Sequence, residues 1–206
     1  MYPYKSTKED NEKRKEHDYY STPETTTEAL LDYLVPVMNP KLDVILEPAC
    51  GEGKMAEVFR KRGFRFEASD KYPYEYEKAM DKFKQFKSRD FLELEATSAS
   101  WIITNPPFNL AEEFIIKAAS LWNKDTSKGF AMLLKSTYWH AKSRYPLFQG
   151  NPPAVILPLT WRPKFNEGKK APVLDMMWCV WMPKDVYESK YTSNTSITLL
   201  TRPEEE

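Results

Sequence analysis

The sequence predicts an α/β fold: a mostly parallel sheet with helices on both faces. Three observations carry that expectation. Short apolar runs alternate with longer amphipathic stretches along most of the chain, the pattern of strands joined by crossover helices. Two of only six glycines fall together, at Gly51 and Gly53, just after the first apolar run, where open α/β sheets place a ligand-binding turn. The 206 residues, 41% hydrophobic and 29% charged, can bury a substantial core and leave little room for a second domain.

Residues 1–18 are mixed in charge and poor in aliphatics, an expected N-terminal arm ahead of a single domain over 19–206. Ser21, Thr22 and Pro23 precede Glu24, a helix-start signal. Leu30, Leu31, Leu34 and Val35 then make an apolar face that Pro36 closes. LDVILEP (42–48) is a short strand and the segment 54–63 a helix. FRFEASD (64–70) is a second strand ending on an acid, followed by a helix over 74–83. A weak third strand (83–88) runs into Asp90. SASWIIT (98–104) is the fourth strand and 110–123 its helix. GFAMLLK (129–135), PAVILPL (153–159) and the bulky run 174–183 supply three more strands. Trp178 and Trp181 on the last of these are expected in the core.

Thirty basic residues balance thirty acidic ones, so any nucleic-acid partner must meet a local basic patch rather than a global charge. Cys50 and Cys179 are too far apart for a zinc knuckle or a disulfide framework, which points to a reducing compartment. His17 and His140 make no case for a metal. No apolar run approaches the roughly 20 residues of a membrane helix, and the charged N-terminus lacks a signal-peptide core. A cytoplasmic protein is expected.

ILEPACGEG (45–53) is a strand tip followed by a two-glycine turn. Glu47 at the tip would repel a phosphate, and Lys54 is followed by Met55 rather than Ser or Thr, so this is no phosphate-binding loop. An acid there suits a cation, such as the amino and sulfonium centres of S-adenosyl-L-methionine. Asp70, at the second strand tip, can accept two ribose hydroxyls. Asp90, after the third, can accept an adenine amino group.

The second site is Thr104-Asn105-Pro106-Pro107-Phe108, after the strand WIIT. Paired prolines fix φ twice and remove two donors, leaving a stiff turn with free carbonyls. Asn105 offers a side-chain oxygen, Pro106 a backbone oxygen and Phe108 a flat ring. That set suits a planar exocyclic amine, which would donate both N–H groups while its ring stacks. Its lone pair is delocalised, and two acceptors favour a more tetrahedral nitrogen aimed at an electrophilic methyl group.

Together ILEPACGEG and TNPPF resemble the amino-methyltransferase class of S-adenosylmethionine enzymes, and within it the small bacterial and phage DNA adenine-N6 methyltransferases. The segment DYYSTPETTTEALLDYL (18–34) supports the narrower likeness. The resemblance implies a Rossmann-like methyltransferase fold, seven-stranded and mostly parallel, with an antiparallel last strand. It implies that Tyr20, Thr22 and Pro23 contact the methionine part of the cofactor. Glu47, Pro48, Cys50, Gly51 and Gly53 correspond to the glycine turn, Asp70 to the ribose-binding acid, and Asp90 with Phe91 to the adenine-binding pair. Asn105, Pro106, Pro107 and Phe108 correspond to the catalytic tetrapeptide. It further implies adenine in DNA as substrate and a bacterial or phage-infected cytoplasm as setting. The target-recognition domain that most such enzymes carry has no space here, and the family's more frequent tyrosine is Phe108. An RNA base (adenine N6 or guanine N2) and a protein glutamine present the same planar NH₂ and stay open as alternatives.

A base inside a duplex must be flipped or taken from single strands. Two basic loops are expected to hold the strand. The first candidate is TWRPKFNEGKKAP (160–172), between the last two strands, which carries Arg162, Lys164, Lys169 and Lys170 with Trp161 and Phe165 interleaved; the second is KSTYWHAKSRYP (135–146), which carries Lys135, Lys142 and Arg144. Cations would bind phosphates and aromatics would stack on bases.

Overall fold

A computed structural model describes residues 20–72, 86–122, 128–165, 172–190 and 196–197. The expected arm (1–18), the expected helix over 74–83, and Lys169 and Lys170 lie outside the described residues. The strands are β1 (Val44–Glu47), β2 (Arg65–Asp70), β3 (Phe86–Ser88), β4 (Trp101–Thr104), β5 (Gly129–Lys135), β6 (Val155–Pro158), β7 (Met176–Trp181) and β8 (Ser196–Ile197). They form one sheet in the order β3-β2-β1-β4-β5-β7-β6-β8. The first five pair in parallel. β7 runs antiparallel between β5 and β6. All seven expected strands form, and the seventh is the antiparallel one. The two-residue β8, parallel to β6, is an addition too short to show as a hydrophobic run.

The helices are α1 (Glu24–Leu34), α2 (Lys54–Lys61), α3 (Ala111–Leu121), α4 (Tyr145–Gly150) and α5 (Lys184–Lys190). The first three match the expected segments; the two short ones do not appear in the sequence pattern, although a proline in the first turn of α4 is a start signal. α1 begins where Thr22-Pro23 predicts, yet no side chain caps it; the Thr22 hydroxyl is used elsewhere. Val35 does not join the apolar face and is 63% exposed. The helix has ended at Leu34, whose carbonyl accepts from the Val37 and Met38 N–H groups, and this turn buries Val37 and Met38 in its place.

Strand side chains alternate strictly between two cores. Ile45, Trp101, Ile103, Leu133, Trp178 and Val180 face the layer of α1 and α2. Leu46, Ile102, Phe130, Met132, Cys179 and Trp181 face α3 and α4. Trp178 and Trp181 are buried as expected; the Trp178 indole donates to the Thr26 carbonyl at 3.0 Å, tying β7 to α1. Among the described residues no helix is long and apolar enough to cross a membrane.

Strand order reverses between β1 and β4, so the crossovers leave a crevice beyond their carboxyl ends. Glu47, Asp70 and Thr104 are the last residues of β1, β2 and β4. The fold therefore brings both sequence motifs to one edge of the sheet.

Candidate active site

The glycine turn is built by backbone geometry. Gly51 (φ 50°) and Gly53 (φ 78°) are left-handed, a region costly for residues with a Cβ. Gly53 caps the start of α2. Asp70 fastens the turn to β2: its Oδ2 accepts from the Gly51 N–H at 2.8 Å and its Oδ1 from the Tyr72 N–H at 3.0 Å. The Cys50 N–H donates to the Ser69 carbonyl at 3.0 Å. Asp70 thus shapes the loop as well as facing the crevice.

Glu47 is 1% exposed. Burial, and next the charge of Asp70, push its carboxyl well above the ordinary range, against a smaller opposing effect of the Ala56 N–H. Its Oε2 is buried with no hydrogen-bond partner among the described residues. A buried, unpartnered carboxylate oxygen is costly and would be relieved by a cation in the crevice. Burial and the neighbouring charges of Glu47 and Asp70 also push the Cys50 thiol strongly up, so Cys50 is no nucleophile.

Asp90 accepts from the Leu92 N–H at 2.9 Å through Oδ1 and pairs with Lys71 Nζ at 2.7 Å through Oδ2. Burial pushes its carboxyl up, but Lys71 and the Leu92 N–H outweigh that and hold it below the usual range. Phe91 beside it is buried against Phe114, ring centroids 4.9 Å apart.

The diproline corner holds Asn105 by two bonds from the N-terminal segment. Asn105 Nδ2 donates to the Tyr20 carbonyl at 3.2 Å and to Thr22 Oγ1 at 3.0 Å. A carbonyl only accepts, so the nitrogen must face Tyr20. Asn105 Oδ1 is left buried and without a partner among the described residues.

These groups share one crevice of about 780 Å³ counted out to open solvent. Tyr20, Thr22, Glu47, Pro48, Cys50, Asp70, Asp90 and Phe91 line it, together with Asn105, Pro106 and Pro107. Pro23, Gly51, Gly53 and Phe108 are not on its wall. The Phe108 ring is instead stacked on Tyr20 (centroids 4.9 Å apart, planes at 29°) with Lys135 Nζ 4.1 Å from its centre. Sequence reasoning missed several lining residues. Ser21 sits between two residues that it named, and its Oγ is buried without a hydrogen-bond partner among the described residues. Lys71, Tyr72 and Leu92 follow the strand-end acids without any motif of their own. Among the described residues no cluster of His, Cys, Asp and Glu could hold a metal.

The two basic loops differ. Arg162 is paired with Asp175 at 2.7 Å, and Phe165 is buried edge-on to Tyr20 at 5.9 Å rather than presented to bases. It lies in the core because the expected loop turns inward at Pro163, which is also buried. Trp161 packs against the core and Lys164 is exposed. In the other loop Arg144 lies over the Tyr138 ring at 4.0 Å and donates to its carbonyl. Lys142 is exposed, and Lys135 ends β5 next to the diproline corner.

No family model and no curated protein matches the sequence. Solved structures match at the level of the fold. One is the type I restriction-modification system methyltransferase subunit from Streptococcus thermophilus (TM-score 0.64, 11% identity, 88% of this chain), of which this chain spans 47%. Another is a candidate RNA methyltransferase from Pyrococcus horikoshii (TM-score 0.61, 14% identity, 82% of this chain and 88% of that one). A third is magnesium protoporphyrin IX methyltransferase from Synechocystis PCC 6803, a structure with bound S-adenosylmethionine (TM-score 0.54, 15% identity, 77% of this chain and 79% of that one). The fold is the Rossmann-like methyltransferase fold.

Proposed function

We propose that the chain transfers a methyl group from S-adenosylmethionine to the exocyclic N6 of adenine in DNA. One observation carries this reading: Asn105 and Glu47 line the same crevice, and Asn105 Oδ1 and Glu47 Oε2 are both buried and without a hydrogen-bond partner among the described residues. One oxygen suits a substrate N–H and the other a cationic donor.

The cofactor, when bound, supplies a methyl group activated by a sulfonium. Glu47 offers it a counter-charge, Ser21 Oγ a further polar contact, and Asp70 and Asp90 retain lone pairs for hydroxyl and amino donors. Asn105 Oδ1 accepts one hydrogen of the adenine amine and the Pro106 carbonyl accepts the other. These bonds draw the lone pair out of conjugation. The amine nitrogen so oriented would accept the methyl carbon that the cofactor supplies, with the sulfur as leaving group, and the substrate ammonium would give its extra proton to water. No side chain deprotonates the amine beforehand.

DNA as substrate is supported by the joint motif likeness to adenine-N6 methyltransferases and by the fold shared with a restriction-modification subunit. The loops 135–146 and 160–172 are the proposed contacts to the strand that carries the adenine. The expected setting is a bacterial or phage-infected cytoplasm. A second reading, an RNA base, is favoured by the likeness to a candidate RNA methyltransferase.

Incubation with tritiated cofactor and separated DNA, RNA and protein pools tests the assignment. Label is expected in DNA, and Asn105→Ala should lower its rate by about 10²-fold or more. Label confined to RNA or protein would overturn the DNA reading.

A further inference from the structure

We infer that Thr22 is a positioning residue for the methyl-transfer step, acting through Asn105 rather than chiefly through the cofactor. The inference rests on reading Asn105 as the acceptor of the substrate amine. An asparagine amide has nearly the same shape after a half-turn, but the turn exchanges acceptor for donor. A donor facing the substrate N–H would block productive placement, so the enzyme must fix both the plane and the sense of this amide.

Two acceptors do so. The Tyr20 carbonyl decides which end is nitrogen, because it can accept only. Thr22 Oγ1, at the shorter distance of 3.0 Å, gives the nitrogen its second anchor and so defines the amide plane. Thr22 is 5% exposed and immediately precedes Pro23, the residue that flanks the start of α1. Its hydroxyl bonds the Asn105 amide and so joins residues 83 positions apart. Losing it would leave the amide tethered at one point, free to rock out of the geometry in which Oδ1 meets the amine. Misplacement of a reacting group by about 1 Å costs on the order of 10²-fold in rate.

Three measurements on the full chain test this. Thr22→Val keeps the shape and removes the hydroxyl; Thr22→Ser keeps the hydroxyl. With cofactor saturating, Thr22→Val should lower kcat for DNA by roughly 10–100-fold, with the dissociation constant for S-adenosylmethionine, by calorimetry, within about twofold of wild type. Thr22→Ser should recover most of the rate. In the wild type, the Asn105 side-chain NH₂ protons should be protected from solvent exchange by NMR, which checks the anchors even if Thr22→Val does not fold. Wild-type kcat in Thr22→Val, a cofactor affinity that falls in step with the rate, or an unprotected Asn105 amide would each overturn the positioning role. Absence of transfer by the wild type itself, with the amide protected, would instead overturn the reading of the reaction.

Discussion

Glu47 carries opposed demands. A carboxylate buried beside Asp70 is poor for stability and good for holding a cation, and the sign of each effect can be worked out. Its carboxyl titrates well above the ordinary range in the folded protein and at the ordinary value once unfolded, so the folded state binds the extra proton between those two values. Stability therefore falls as pH rises through that window. Glu47→Gln removes the ionisation, and its melting temperature should match or exceed that of wild type at acid pH and exceed it increasingly towards neutral pH. The same change should weaken cofactor binding at neutral pH by about 10–100-fold, as expected for losing a charged partner. Wild-type affinity should rise with pH through the window while that of the variant stays flat. Scanning calorimetry and titration at several pH values check both halves; a less stable Glu47→Gln at neutral pH would contradict the account. Glu47, Asp70 and Asp90 were legible in the sequence because each lies at or just after the end of an expected strand. Their partners were not: Lys71 on Asp90 and Thr22 on Asn105 are side-chain contacts that no local pattern encodes.

At the scale of elements, five strands were legible as apolar runs, while β2 and β3, which carry Arg65, Glu67 and Lys87, were legible from their place in the strand–helix alternation. β8, α4 and α5 are too short for any period to register. The glycine turn was legible as sequence, whereas the role of Gly129 was not. A Cβ there would meet the Trp181 carbonyl oxygen at 2.2 Å and the Trp101 ring at 2.9 Å. Gly129 thus lets β5 lie close to β7, where Phe130 and Trp181 stack with centroids 4.6 Å apart. Gly129→Ala should cost on the order of 1–3 kcal/mol by overpacking and lower the melting temperature by several degrees. Cofactor affinity should change little, because Gly129 begins β5 at the end opposite to the crevice. An unchanged melting temperature would contradict the close approach.

At the scale of the whole molecule, the surface charges of α1 and α2 are partly paired among the described residues. Lys61 bonds Glu24, Arg62 bonds Asp32 and Arg60 bonds Glu57 on the side of α1 and α2. The Arg162–Asp175 pair favours the loop after β5 as the proposed footing for a strand entering the crevice. Replacing Lys135 and Lys142 together by alanine should weaken DNA binding and make log K against log salt shallower by about 1–2. Arg162→Ala should do less. Equal slopes in wild type and the double variant, measured by fluorescence anisotropy, would remove that loop from the interface. The sequence ranked the loop 160–172 first, on its cations and its place between the last two strands, because neither the Arg162–Asp175 pair nor the burial of Phe165 shows in the sequence. It likewise offered Phe108 as an open platform, while the fold covers that ring with Tyr20 and Lys135, so a stacking base has to displace one of them.

Asn105 Oδ1 is proposed to receive an adenine amine beside a methyl donor held over Glu47. Digesting DNA to nucleosides after incubation with protein and cofactor, and weighing the products by mass spectrometry, tests it most directly. N6-methyladenosine as the deoxynucleoside, present with wild type and lost with Asn105→Ala, is the predicted result. Unmodified deoxyadenosine under conditions where the protein binds both DNA and cofactor would contradict it.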